Sequence, residues 1–148
     1  KLGFLALKGW QIEFPMVIDG KKYRMDAVCE KTAQIREFVH SLSAWHIAKY
    51  EALKKLQGWN YCFYLDGETF AREDGGHELK RGGGIRHLLK DNAFAIANRL
   101  GDNVIVHYHG KLYSHWKYNI WYPRAGYQAN YVLSQFNKAF FSIKPFNS

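Results

Sequence analysis

The sequence predicts an α/β domain built on a mixed sheet. Two observations carry this: three short strand patterns follow one another through polar turns, and a strand, helix, strand order comes directly after them. Antiparallel neighbours can be joined by short turns, whereas parallel neighbours need a crossover of a dozen or more residues, which a helix supplies. The second half returns to helix and strand, for a coarse order of βββαβ and then αββα.

The first strand, Gln11 to Ile18, ends at Asp19-Gly20, a pair suited to the positive φ angles of a two-residue type I′ hairpin. The second runs from Lys21 to Cys29, and Glu30-Lys31-Thr32-Ala33 turns the chain into a third strand, Gln34 to His40. Ser41-Leu42-Ser43 offers an N-cap for a helix over Ala44 to Gln57, with Ala44, Ile47, Ala48, Leu53 and Leu56 near helical spacing and Gly58 as its stop. Trp59 to Leu65 is a nearly continuous apolar and aromatic run, as in a strand buried on both faces, closed by Asp66-Gly67. Gly75 to Gly84 is glycine-rich and basic and reads as a mobile loop, either contacting a substrate or serving as a linker; it matches neither nucleotide-binding fingerprint. A helix from Ile85 to Leu100, strands over Val104 to His109 and Lys111 to Lys117, and a last helix over Tyr127 to Phe140 are expected in the remainder.

Composition narrows the class. The 148 residues carry 21 Lys and Arg against 13 Asp and Glu, a net charge of +8, with 5 Trp, 10 Tyr and 10 Phe for a core. This is one domain, 1–148, able to bury roughly 68–70% of its unfolded surface. No membrane span or secretory leader is recognisable, so a cytoplasmic protein without membrane contact is expected. The chain begins at Lys1 without a methionine, as a segment of a longer protein would. Cys29 and Cys62 form no Cys-x-x-Cys motif, so two free thiols are expected. The positive surplus favours a polyanionic partner, nucleic acid first, because neutralised phosphates release counterions. Basic residues interleave with aromatics from Tyr108 to Tyr118, and Lys80, Arg81, His109, Lys111 and Lys117 are the candidate phosphate contacts. His107 and His109, with His115 nearby, have a weak zinc spacing and read better as sheet-surface histidines.

Register turns three scattered acids into a constellation. A two-residue loop at Asp19-Gly20 sets Glu13 opposite Asp26, and a symmetric second turn sets Asp26 opposite Glu37. Directly opposed residues share a face of an antiparallel sheet, so the three carboxylates would form a row across three strands. Like charges so placed repel, and a hard divalent cation, Mg²⁺ or Mn²⁺, would offset the repulsion while keeping water for chemistry. Arg24 and Arg36 are alternative ion-pair partners.

Around these acids, over about Ile12 to Gly67, the chain resembles the PD-(D/E)XK nuclease superfamily, and more narrowly the competence protein CoiA-like nucleases. The resemblance rests on Glu13, on Tyr23-Arg24-Met25-Asp26-Ala27-Val28 and on Ile35-Arg36-Glu37-Phe38-Val39-His40-Ser41-Leu42-Ser43, with the helix and aromatic strand that follow. It implies a restriction-endonuclease-like core over 1–70, a basic aromatic extension over 71–148, and metal-dependent endonuclease hydrolysis of phosphodiesters, DNA rather than RNA. Glu13, Asp26, Glu37 and the Val39 carbonyl would bind metal, with Asp26 and Glu37 at the chemistry. One departure stands out: Val39 occupies the position where the family has Lys or Gln. His40, His46 and Lys49 are the conceivable substitutes. The rivals are a catalytically inactive nucleic-acid-binding module and a subunit that acts only with a partner.

Overall fold

The computed structural model describes residues 10–101 and 103–124, so the helix expected at Tyr127 to Phe140 lies outside the described residues. The elements are β1 (Gln11–Ile18), β2 (Lys21–Cys29), β3 (Gln34–Val39), α1 (Ala44–Leu53), β4 (Asn60–Asp66), α2 (Gly67–Phe70), β5 (His77–Glu78), β6 (Ile85–Arg86), α3 (Asp91–Leu100), β7 (Val104–Tyr108), β8 (Lys111–Lys117) and β9 (Ile120–Arg124). All nine described strands join one mixed sheet in the order β1-β2-β3-β4-β7-β8-β9-β6-β5. Strands of both halves of the chain therefore share a single sheet. The meander β1-β2-β3 is antiparallel, β4 lies parallel to β3, and β7 parallel to β4.

Asp19 and Gly20 both take positive φ, 52° and 77°, as a type I′ turn requires, and the strands on either side keep the expected bounds. The three parallel strands are covered on both faces. Val39, Phe63, Leu65, Val104 and Val106 pack with Tyr50 and Leu53 of α1 and Ala93, Ala97 and Leu100 of α3. Their alternating neighbours Phe38, Tyr64 and Ile105 join Trp10, Ala27, Cys29 and Leu112 in a second cluster on the opposite face. This two-sided burial is why β4 reads as a continuous apolar run. Both cysteines are free, and no helix among the described residues is long and apolar enough to cross a membrane.

Four expectations are corrected. The helix expected from Ile85 starts at Asp91, because Ile85 and Arg86 pair with Trp121 and Ile120 of β9. Leu88 and Leu89 are fully buried in that lead-in, where the Asn119 side chain accepts from the Leu89 N–H at 3.2 Å and donates to its carbonyl at 2.8 Å. The glycine-rich stretch is an edge hairpin of β5 and β6, folded close on β9: a Cβ on Gly84 would lie 2.6 Å from the Tyr122 ring. Helix α1 ends at Leu53 rather than Gln57, and β3 ends at Val39 rather than His40.

Candidate functional site

The site grows from an interruption in the ladder. On β1 and β2 the pairs Ile12–Ala27 and Phe14–Met25 flank the Glu13 and Asp26 positions, so the expected register holds on both sides. The β2–β3 ladder also has the expected register, and its last pair is Ala27–Arg36. At the next level side chains replace the main-chain rungs. The Asp26 N–H donates to Glu37 Oε2 at 2.8 Å, and the Phe38 N–H donates to Asp26 Oδ2 at 2.7 Å. Each carboxylate thus holds the other residue's strand, and Asp26 and Glu37 are brought together as their opposed positions require.

Glu13 does not complete the row. Its φ of 53° lies in the left-handed region, and the strand's facing changes there: Ile12 packs with the second cluster, whereas Phe14 packs with the helix-side core. The Glu13 carboxylate accepts from Arg24 Nη1 at 3.0 Å, with both side chains largely in solvent. Arg36 donates to the Tyr64 hydroxyl and Gln34 and lies over the Trp10 ring, on the face away from Glu37.

The counter-charge comes from α1. Lys49 Nζ lies 2.7 Å from Glu37 Oε1, with the two residues only 5% and 1% exposed. Ser43 caps this helix, its Oγ bonded to the His46 ring nitrogen at 2.6 Å, and the resulting phase turns Lys49, Tyr50 and Leu53 to the sheet. Of the apolar residues expected on the inner face, Leu53 is buried and Leu56 packs on the core, whereas Ala44 and Ala48 are exposed. Val39 is fully buried in the helix-side core, sharing a strand face with Glu37, and Lys49 brings an ammonium to that face from one element away.

Desolvation of Glu37, and in part of Asp26, beside one lysine shapes their protonation. Desolvation and the charge of Asp26 push Glu37 up to about 8, against the attraction of Lys49. Asp26 is also raised by burial, with Lys49, the Phe38 N–H and His40 opposing. Burial lowers His46, and the charges of Lys49 and His40 lower it further. His40 is exposed at the end of β3. Tyr50, which sequence reasoning did not single out, is raised by burial and by both carboxylates. Trp45 was also missed, although it stands one turn before Lys49; its ring centroid is 6.0 Å from Lys49 Nζ and it is 56% exposed. Helical i, i+4 spacing from Lys49 is the signal that would have found it.

The basic candidates of the second half lie apart from this pair. Lys80 and Arg81 are exposed in the β5–β6 loop, His109 in the β7–β8 turn, and Lys111 at the start of β8. Strand pairing puts these four toward the edge where β3, β4 and β7 end. Lys117 lies toward the opposite edge, its Nζ 4.3 Å from the Trp116 ring centroid. His109 sits beyond β7 and His115 packs on Trp121, so the histidines do not form a shared strand face. Among the described residues no group of three or more His, Cys, Asp and Glu side chains is arranged to hold a metal ion. Any cation at the acid pair would therefore rely on two carboxylates, main-chain oxygen and water, a donor set of hard oxygens that suits Mg²⁺.

Comparison with known proteins returns no match: no family model, no curated protein and no solved structure aligns significantly with the chain.

Proposed function

We propose that this chain is a metal-dependent nuclease with a restriction-endonuclease-like core, acting on nucleic-acid phosphodiesters, DNA before RNA. The observation that carries the reading is the buried Glu37–Lys49 pair with the half-buried Asp26 beside it at a gap between two strands. Two acids brought together beside a buried lysine, at the cost of desolvating all three, are poorly explained by stability alone. Asp26 and Glu37, with the Val39 carbonyl, would hold Mg²⁺ or Mn²⁺. Such an ion lowers the pKa of bound water and neutralises charge developing on phosphate. Lys49, held by Glu37, would orient the attacking water, the task for which Val39 has no side-chain group. His40, exposed just after β3, would exchange a proton with solvent or leaving group. Glu13 has a lesser part, acting on Asp26 through its charge while paired with Arg24.

The other reading is a nucleic-acid-binding module that has lost the chemistry. It is favoured by the fact that both Glu37 oxygens are already engaged, one by Lys49 and one by the Asp26 N–H. Cleavage of single- and double-stranded DNA and RNA with Mg²⁺, Mn²⁺ or chelator, with Asp26→Ala and Lys49→Met beside the parent, separates them. Metal-dependent cutting that falls at least about a hundredfold in either variant, as loss of a general acid–base or positioning group does, supports the nuclease. Absence of cutting by the parent, with salt-sensitive binding retained, assigns the binding module.

A further inference from the structure

The acid pair has an aromatic neighbour that neither the core nor the proposed chemistry uses. Trp45 stands on the first turn of α1 with more than half its surface in solvent, while most large apolar side chains nearby are covered. Two rings flank it. The buried Tyr23 ring lies 6.4 Å from it, centroid to centroid, and the His46 ring meets it edge-on at 5.1 Å. Lys49 ties it to the site: the ammonium that bonds Glu37 at 2.7 Å is 6.0 Å from the indole centroid. The ring therefore lies no further from the carboxylate than those two distances laid end to end.

We propose that Trp45 is a stacking platform for an unpaired nucleobase, so that the substrate enters this site as a single strand or with a base displaced from its helix. The proposal rests on the nucleic-acid reading above and deepens it. An exposed indole held by flanking rings loses little freedom when a base stacks on it, and stacking tolerates any base because every base has a π-face. A base inside a duplex has no free face to offer. The +8 net charge supplies attraction for the backbone, and the indole supplies the discrimination between strand forms.

The test measures binding and cutting separately. Anisotropy of a short labelled oligothymidine and of a labelled duplex of equal length, in chelator, is compared for the parent, Trp45→Phe and Trp45→Ala. The expected result is that the parent prefers the single strand, Trp45→Ala weakens that binding roughly tenfold or more while leaving duplex binding unchanged, and Trp45→Phe retains most of it. Single-strand affinity in Trp45→Ala equal to the parent's overturns the proposal. So does an equal loss on both strand forms, or a parent without single-strand preference. Thermal midpoints of all three proteins are read alongside, and Trp45→Phe, which keeps a ring among the same neighbours, provides the comparison if Trp45→Ala lowers the midpoint. Cutting by the same proteins in Mg²⁺ reads the nuclease assignment alone: its absence removes the chemistry and leaves the binding result standing.

Discussion

At the scale of single residues, the energetics of Glu37 and Lys49 make a prediction that does not depend on the reaction. The pair is buried, and removing one partner of such a pair strands the other charge. Glu37 ionises near 4.5 in an unfolded chain and near 8 in the fold, so the folded state binds the proton more tightly. The stability linked to that proton is complete below about pH 4.5 and is lost progressively as pH rises toward 8. Asp26, also raised, acts in the same direction. Urea unfolding from pH 5 to 9 should therefore show the parent's stability falling with pH, and Glu37→Gln should flatten that slope. Lys49→Met should cost about 3–5 kcal/mol at the alkaline end, where Glu37 must stay charged and alone. At pH 5 the same substitution should cost much less, because Glu37 can take a proton. A cost independent of pH would mean that Lys49 matters through packing alone.

At the scale of elements, the close approach of β4 and β7 depends on Gly67. A Cβ there would lie 2.5 Å from the His107 carbonyl oxygen and 2.8 Å from Tyr108 Cβ. Neither is the far end of a flexible side chain, so the β4–α2 junction would have to move away from β7. Overpacking of this kind costs about 1–3 kcal/mol, and Gly67→Ala should lower the midpoint of a melt by several degrees. An unchanged midpoint would show that the junction yields freely. Elements whose signals are local were the legible ones. Asp19-Gly20 carries its turn chemistry in two residues, which is why β1, β2 and their register follow from the sequence. Ile85 to Lys90 carries apolar residues that a helix would use equally well, and only pairing with β9, some 35 positions later, decides between the two. That partner opens with Ile120, Trp121 and Tyr122, which favour a strand, but Pro123 in a five-residue run argues against one. Lys49 was legible as a candidate because it follows the acids by one helix; its burial was not, since it depends on Glu37 being there to receive it.

At the scale of the whole molecule, the charge that composition reveals is distributed by the strand topology, which composition cannot show. The β2–β3 ladder ends at Ala27–Arg36, and beyond it the two strands part toward the end of β3. Lys80, Arg81, His109 and Lys111 lie toward that same edge, two or more strand spacings of about 4.8 Å from β3 along the sheet. A backbone entering at the acid pair and running along this edge would meet them in turn. Lys117 lies toward the other edge and is held over Trp116. Counterion release turns this arrangement into a measurable slope, since each phosphate neutralised adds about 0.7 to 0.9 to the dependence of log affinity on log salt. Lys80→Ala with Arg81→Ala should therefore reduce the salt slope of oligonucleotide binding by about 1 to 2, whereas Lys117→Ala should leave it unchanged. Reduction by Lys117→Ala as large as that of any other single lysine would mean that the whole positive surface attracts the strand without a path. If only the Lys80 and Arg81 edge responds, the second half of the chain guides the substrate along the sheet toward Asp26 and Glu37.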